Sequence, residues 1–431
     1  MAKPKLIADN SAFGEWRRKM VKNDRHQLVD CFENVYYVLT NHPTWSGVIG
    51  LDEFGNCLKI RKPPDGVDGF EPGEWTTKHT QLFRLWLLQV ESLRVRAKEN
   101  IMDAIGLIGE ERRFHPVVDY LEQLKWDGTM RLGRWLQDCL AVDECRALQG
   151  CAANHYVGLA GKFFLMGMVA RVYDPGCIMR QVLVLEGTQW RGKSTAMKLL
   201  GGDWYSDTPF VVGDKDAFQA LRGKWLYEIA ELDAFNRSEA TRVKAFISST
   251  SDNYRAPYEA RNRDWPRQCV FVATTNQFEY FKDPSGNTRF MPVIAGDANL
   301  QVLADMRDQL FAEAVLRYKQ GRRRYPTRFA HARLFAPEQD AREIEDPRYA
   351  KVSRFLRETP AARVSMETLV EDCLGVKTDR IDNARQLATV IGWMVHRCGW
   401  VKRRGERGYF YERGKKAARP LTWGKEREVP F

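Results

Sequence analysis

The sequence holds no apolar run approaching the 18 or more uncharged residues that a membrane span requires. Its first ten residues, MAKPKLIADN, lack the apolar core of a signal peptide. Neither a membrane protein nor a secreted one is expected, and the chain reads as cytoplasmic. Paired cysteines are missing too. The nine thiols are odd in number, scattered and without a C-x-x-C pair, which argues against a disulfide framework and for a reducing compartment. Cys139, Cys145, Cys151 and His155 come loosely together, but on helix-like sequence they read as buried or idle thiols, and no zinc site is expected. Internal repeats and low-complexity tracts are absent as well, so the chain reads neither as a repeat array nor as a disordered tract.

What remains is ordinary globular composition, with 44% hydrophobic and 29% charged residues. A length of 431 residues predicts two to four structural units. Lysine and arginine number 67 against 56 acidic residues, a net charge of +11 that suits a polyanionic partner. The excess concentrates near the C-terminus, where Arg397, Lys402, Arg403, Arg404, Arg407, Arg413, Lys415, Lys416 and Arg419 face only Glu406 and Glu412.

The pattern along the chain predicts an N-terminal mixed α/β domain over residues 1–105, with apolar runs VYYVLT and GVIGLDEF before a Pro/Gly-rich loop. Gln81 to Gly106 reads as helix. A helical collar or linker follows over 106–175, around the turn Trp126-Asp127-Gly128 and the helical stretch Asn154 to Val172. From 176 to 335 strands (VLVLE, WLYEIAE, CVFVATTN) alternate with helical segments, the signature of an α/β core with a parallel sheet. A charged connector then leads to a last small domain, 345–415, of helices and a basic hairpin, Trp400 to Arg413.

Gly187-Thr188-Gln189-Trp190-Arg191-Gly192-Lys193-Ser194 fits G-x4-G-K-[ST], follows a hydrophobic strand and precedes a helical run that starts at Thr195. Glycines let such a loop curl round phosphates so that its amides face the anion. Lys193 then reaches the β/γ-phosphates, Ser194 takes Mg²⁺, and the expected ligands are ATP and Mg²⁺. The alternative is merely a strand, a turn and a helix. About thirty residues on, Lys224 to Glu231 forms a mostly apolar strand ending in a carboxylate, where such an enzyme holds its metal or orients water. Glu231 is the first choice there. Glu228 is the second, because strand alternation sets residues three apart on opposite faces unless the strand has already ended. Asn276, at the end of the next strand, is placed to sense the γ-phosphate or hold the attacking water.

Arg289 follows a tight polar loop and precedes the strand-like MPVIA, as an arginine donated in trans at a subunit edge would. Between the acidic strand and Asn276, Arg255, Arg261, Arg263 and Arg267 interleave with Tyr254, Tyr258 and Trp265, a mixture suited to a nucleic-acid backbone and its bases. Its plainer alternative is a solvated loop with structural ion pairs.

Together these residues resemble the virulence-associated E family, P-loop ATPases of phages and mobile elements related to superfamily 3 helicases of the AAA+ class. The likeness runs through HPTWSGVIGLDEF, FHPVVDYLEQLKWDG, Arg131-Leu132, Ala170-Arg171, Pro175-Gly176-Cys177, the P-loop, FVATTN and GNTRFMPV. It implies an AAA+-like core, assembly into a hexameric ring, and ATP-driven movement along DNA during replication of a mobile element. By that resemblance Glu231 is the Walker B carboxylate, Asn276 sensor 1 and Arg289 the finger. The segment Asp252 to Arg267 falls where superfamily 3 helicases place their DNA-contacting hairpin. Trp190-Arg191 stands where related sequences often carry small residues, and Thr288-Arg289 replaces an Arg-Arg pair. The C-terminal part looks like a winged helix whose wing carries Lys402, Arg403, Arg404 and Arg407, for duplex or forked DNA; a packing module with a solvated basic edge is the alternative.

Three functions share this reading: a ring helicase, an ATP-gated DNA-binding or loading factor that recruits a primase or polymerase, and a P-loop enzyme of small molecules. A primase within the chain is not expected, since no pair of carboxylates with a companion histidine stands on adjacent strand positions, and Asp214-Lys-Asp216 lies in loop-like sequence.

Overall fold

A left-handed backbone at Ser92, with φ +57°, interrupts the stretch that reads in sequence as one helix from Gln81 to Gly106. Non-glycine residues adopt that conformation rarely, and two helices result: α1 over Thr77–Val90 and α2 over Lys98–Glu111. The computed structural model describes residues 14–209, 216–232, 237–254, 261–281, 287–344, 347–376, 384–405 and 408–414. It divides between Glu343 and Ile344 into two units.

The first unit begins with a four-stranded sheet in the order β3-β2-β1-β4, built from β1 (Ile49–Asp52), β2 (Cys57–Ile60), β3 (Gly73–Glu74) and β4 (Arg113–Phe114). Trp45, Trp75, Phe83 and Ile105 are buried in one core with it. The helices Pro116–Gln123 and Trp135–Leu140 lead to α3, Gly150–Tyr173, which is apolar all round and therefore buried along most of its length. No helix among the described residues is long and apolar enough to cross a membrane.

The second sheet positions the site. It contains β5 (Val182–Glu186), β6 (Tyr205–Ser206), β7 (Leu226–Ile229), β10 (Val270–Thr275) and β11 (Phe290–Ile294), all parallel, in the order β11-β5-β10-β7-β6. Strands β8 (Ser251–Tyr254) and β9 (Arg263–Pro266) form a separate antiparallel hairpin. The parallel strands are continuous apolar runs because both faces of the sheet are covered. Leu183 and Leu185 of β5, with Leu226, Val270 and Val272, join the core made with α3, α4 (Lys193–Gly201) and α6 (Leu300–Lys319). Val182 and Val184, with Tyr227, Phe271 and Ala273, face the other core, to which α5 (Arg237–Ser248) contributes Val243, Phe246 and Ile247. The fold is thus a mixed α/β one with a helix-covered parallel sheet.

The chain leaves β5 for strands on one side of it and returns to β11 on the other. Ligands of open parallel sheets bind at that kind of switch point, at the carboxyl ends of the strands. The loop after β5 sits there.

In the second unit, β12 (Arg363–Ser365), β13 (Trp400–Gly405) and β14 (Gly408–Arg413) form an antiparallel sheet in the order β12-β14-β13. Its core joins Val352 and Leu356 of α7 (Pro347–Glu358) to Ile391 and Met394 of α8 (Ala384–Arg397), Trp400 and Tyr411.

Candidate nucleotide site

The segment 187–192 turns sharply from β5 into α4. Gly187 has φ +144°, and a Cβ there would stand 2.7 Å from the Ala295 carbonyl oxygen, so the turn admits only glycine without moving backbone. Gly192 precedes α4 at φ +76°. Trp190 also takes a positive φ, +68°, and is 99% exposed. A cleft of about 310 Å³ opens here, bordered by Gln189 to Thr195, Ala230 and Glu231, and Thr274 to Asn276. All nine residues read as the nucleotide loop, Gly187 to Thr195, lie on this one turn and the start of α4, with Arg191 Nε donating to Thr188 Oγ1 at 2.9 Å.

Lys193 is buried beneath the loop, its Nζ donating to the carbonyl oxygens of Gly187 (2.5 Å) and Thr188 (2.8 Å) and to Asn276 Oδ1 (3.3 Å). Burial, and then the neighbouring Arg191, hold its pKa below the usual lysine range, while Glu228 acts in the opposite direction. Asn276 reaches this position because β10 lies between β5 and β7. The amide of Gly187 donates to Thr275 O at 3.2 Å, fastening the loop to that strand end.

Two carboxylates reach the site in different ways. Glu228 is 3% exposed and accepts three hydroxyls: Ser194 Oγ at 2.6 Å and Thr274 Oγ1 at 2.8 Å on Oε1, and Tyr205 OH at 2.6 Å on Oε2. It shares the face of Leu226, two residues earlier, and that face packs against α4. Glu231 lies beyond the end of β7, is exposed, and borders the cleft from a left-handed backbone with φ +52°. Strand alternation does not separate the pair, because the strand ends at Ile229.

The donor set suits a polyphosphate and a hard cation: one ammonium, backbone amides at a helix start, a hydroxyl and carboxylate oxygens.

Arg289 stands elsewhere. It precedes Phe290, which pairs with Val182 at the amino end of β5, whereas the loop leaves the carboxyl end. Five strand residues separate the two levels, roughly 17 Å at 3.3 Å per residue. Its Nε donates to Ser248 Oγ at 2.6 Å, and burial followed by the nearby Arg180 lowers its pKa. The structure therefore brings Lys193, Ser194, Glu228, Glu231 and Asn276 together and leaves Arg289 out.

Of the residues expected to meet DNA, Arg261 and Arg263 are exposed on the β8–β9 hairpin, with Arg263 over the Trp265 ring at 4.6 Å. Arg267 overturns its expectation. It is 0% exposed, and its guanidinium pairs with Asp252 at 2.5 Å and donates to the Phe246 carbonyl, so it braces the base of the hairpin. Lys402, Arg403 and Arg404 are exposed on β13, Lys402 over the Tyr409 ring at 4.5 Å and Arg403 paired with Glu412 at 3.0 Å. Arg255 and Arg407 lie outside the described residues.

A helix-flanked parallel sheet thus carries, at one strand end, a glycine turn, a buried lysine and a hydroxyl–carboxylate pair. The pattern of the virulence-associated protein E-like domain matches residues 121–344, just over half of the 431, and the chain belongs to that family. Among solved structures it is similar to the C-terminal region of NrS-1 in the A-form apo state, at TM-score 0.47 and 10% identity over 88% of this chain and 98% of that one. A second apo structure of that region aligns at TM-score 0.44 and 10% identity over 88% and 97%. At such scores the likeness carries no functional inference. No curated protein matches the chain.

Proposed function

We propose that the chain hydrolyses Mg²⁺-ATP as a superfamily 3-type DNA helicase or translocase of the AAA+ class, working as a ring in the replication of a phage or mobile element. The observation that carries the nucleotide part is the Ser194–Glu228 hydrogen bond of 2.6 Å beside Lys193 in a glycine-turned cleft. Backbone amides of the loop and the Lys193 ammonium bind the phosphates, and Ser194, held by Glu228, offers its oxygen to the metal. Mg²⁺, when bound, neutralises charge developing between the β- and γ-phosphates. Glu231 at the mouth takes the proton of the attacking water, and Asn276 orients that water.

Arg289 lies too far from its own loop to serve it. That separation supports its use as a finger on a neighbouring copy, and the hexameric ring follows from the family resemblance. Exposed Arg261 and Arg263 on the hairpin, and Lys402, Arg403 and Arg404 on the wing of a winged-helix-like second unit, supply the cations for single-stranded or forked DNA.

Strand displacement on a forked duplex tests the reading. ATP-dependent release of one strand, abolished by Lys193→Ala, is the expected result. ATP turnover stimulated by DNA without release in either polarity would instead favour a loading factor that recruits a primase or polymerase.

A further inference from the structure

A second, fully buried ionic cluster lies on the face of the sheet away from α4. Glu186, the last residue of β5, turns its carboxylate to that side because it alternates with Leu183 and Leu185, as Val182 and Val184 do. Arg342 meets it with two bonds, Nε to Oε1 at 2.7 Å and Nη2 to Oε2 at 2.9 Å, both side chains being 0% exposed. The same guanidinium pairs with Glu338, also 0% exposed, whose carboxylate accepts the backbone amides of Arg146, Ala147 and Leu148 at 3.1, 2.8 and 2.8 Å. Tyr280, four residues past Asn276, donates its hydroxyl to Glu186 Oε1 at 2.7 Å, and the amides of Tyr280 and Phe281 both donate to the Arg342 carbonyl at 3.1 Å.

Two carboxylates and one guanidinium buried together bring a large desolvation cost, and an apolar cluster of the same volume would often hold a core as well. What the charges add is fixed geometry. Glu186 is bonded directly to Gly187, the first residue of the phosphate loop, and its carbonyl accepts the Ala295 amide at 2.8 Å. Tyr280 closes the loop that Asn276 opens.

We propose that Arg342 is a positioning residue: through Glu186 and Tyr280 it locks the root of the phosphate loop and the loop after Asn276 into one body, so that Lys193 and Asn276 keep their mutual placement. A misplacement of about 1 Å between groups acting on one phosphate can cost about 100-fold in rate. The catalytic consequence rests on the hydrolysis proposed above; the structural tie does not.

The test uses the full chain with Tyr280→Phe, which removes one hydroxyl, and Arg342→Lys, which keeps the charge but cannot make the paired bonds. Backbone hydrogen exchange is read in peptides covering Gly187–Thr195, Asn276–Phe281 and, as a control, Leu226–Ile229. Exchange rising about 10-fold or more in the first two together, with the third unchanged, is expected in Tyr280→Phe, and more strongly in Arg342→Lys. A rise in only one of the two, an equal rise across all three, or no rise in Tyr280→Phe would overturn the tie, even should Arg342→Lys fail to fold. In ATP turnover the tie predicts that Tyr280→Phe lowers kcat by about 10-fold while KM stays within about 3-fold. A wild-type chain that turns over no ATP would refute hydrolysis, and the exchange pattern would still decide the tie.

Discussion

Ser194 and Glu228 are joined by a 2.6 Å hydrogen bond, and Tyr205 and Thr274 donate to the same carboxylate. Glu228 therefore fixes the Ser194 hydroxyl at the start of α4, while Glu231 faces the open cleft.

The two carboxylates should respond differently to amide substitution. Glu228→Gln puts an N–H₂ against hydroxyls that now donate, and it should weaken apparent Mg²⁺ affinity by about 10- to 100-fold in a metal titration of ATP turnover. Glu231→Gln should leave nucleotide affinity intact and lower kcat by about 100-fold or more. Identical effects of the two on metal dependence would contradict this division.

The hairpin cations should separate into brace and ligand. Arg267→Ala strands Asp252 in the core and should destabilise the first unit by about 3–5 kcal/mol in denaturant unfolding. Arg261→Ala and Arg263→Ala should change stability by no more than about 0.5 kcal/mol. Each should instead reduce the salt dependence of DNA binding by about one unit of slope. A stable Arg267→Ala chain with a reduced slope would reverse the assignment.

Stability should fall with acidity through His42. Its ring is buried between Trp16 and Trp86, and Nδ1 accepts the Thr44 amide at 3.2 Å. Burial, then Arg17, lower its pKa to about 4, although the nearby Glu91, 3.4 Å from Nε2, is already engaged by Arg17 at 2.6 Å. The unfolded chain, with a histidine pKa of about 6.5, takes up the proton first as pH drops. This contribution is complete above about pH 6.5 and is lost down to about pH 4, reaching at most about 3 kcal/mol. Melting temperatures between pH 7 and 4.5 should show a slope that His42→Gln flattens; an unchanged slope would exclude His42.

The glycine turn from β5 into α4 is legible in sequence because its signal is local: glycines, lysine and serine at fixed spacing after an apolar strand. The parallel sheet is legible for a similar reason, since strands buried on both faces read as unbroken apolar runs. Glu228 is less legible, because the register of a four-residue strand, and its end at Ile229, depend on neighbouring strands rather than on its own residues. In sequence Arg267 reads as one more cation in a basic loop; only the pairing of β8 with β9 brings Asp252 under it. The Glu186–Arg342 pair spans 156 positions, a separation that no local pattern announces. Ser92 offers no sequence sign of its left-handed turn either, which is why two helices read as one.

Steady-state ATP hydrolysis with and without single-stranded DNA, in the wild type, Lys193→Ala, Arg289→Ala and equimolar mixtures of the two variants, tests the shared-site ring. Turnover stimulated by DNA, loss of at least about 100-fold in each variant alone and partial recovery on mixing are expected, because an intact Lys193 site can meet an intact Arg289 from a neighbour. Turnover that ignores DNA and survives Arg289→Ala would contradict the shared-site ring and leave a self-contained P-loop ATPase.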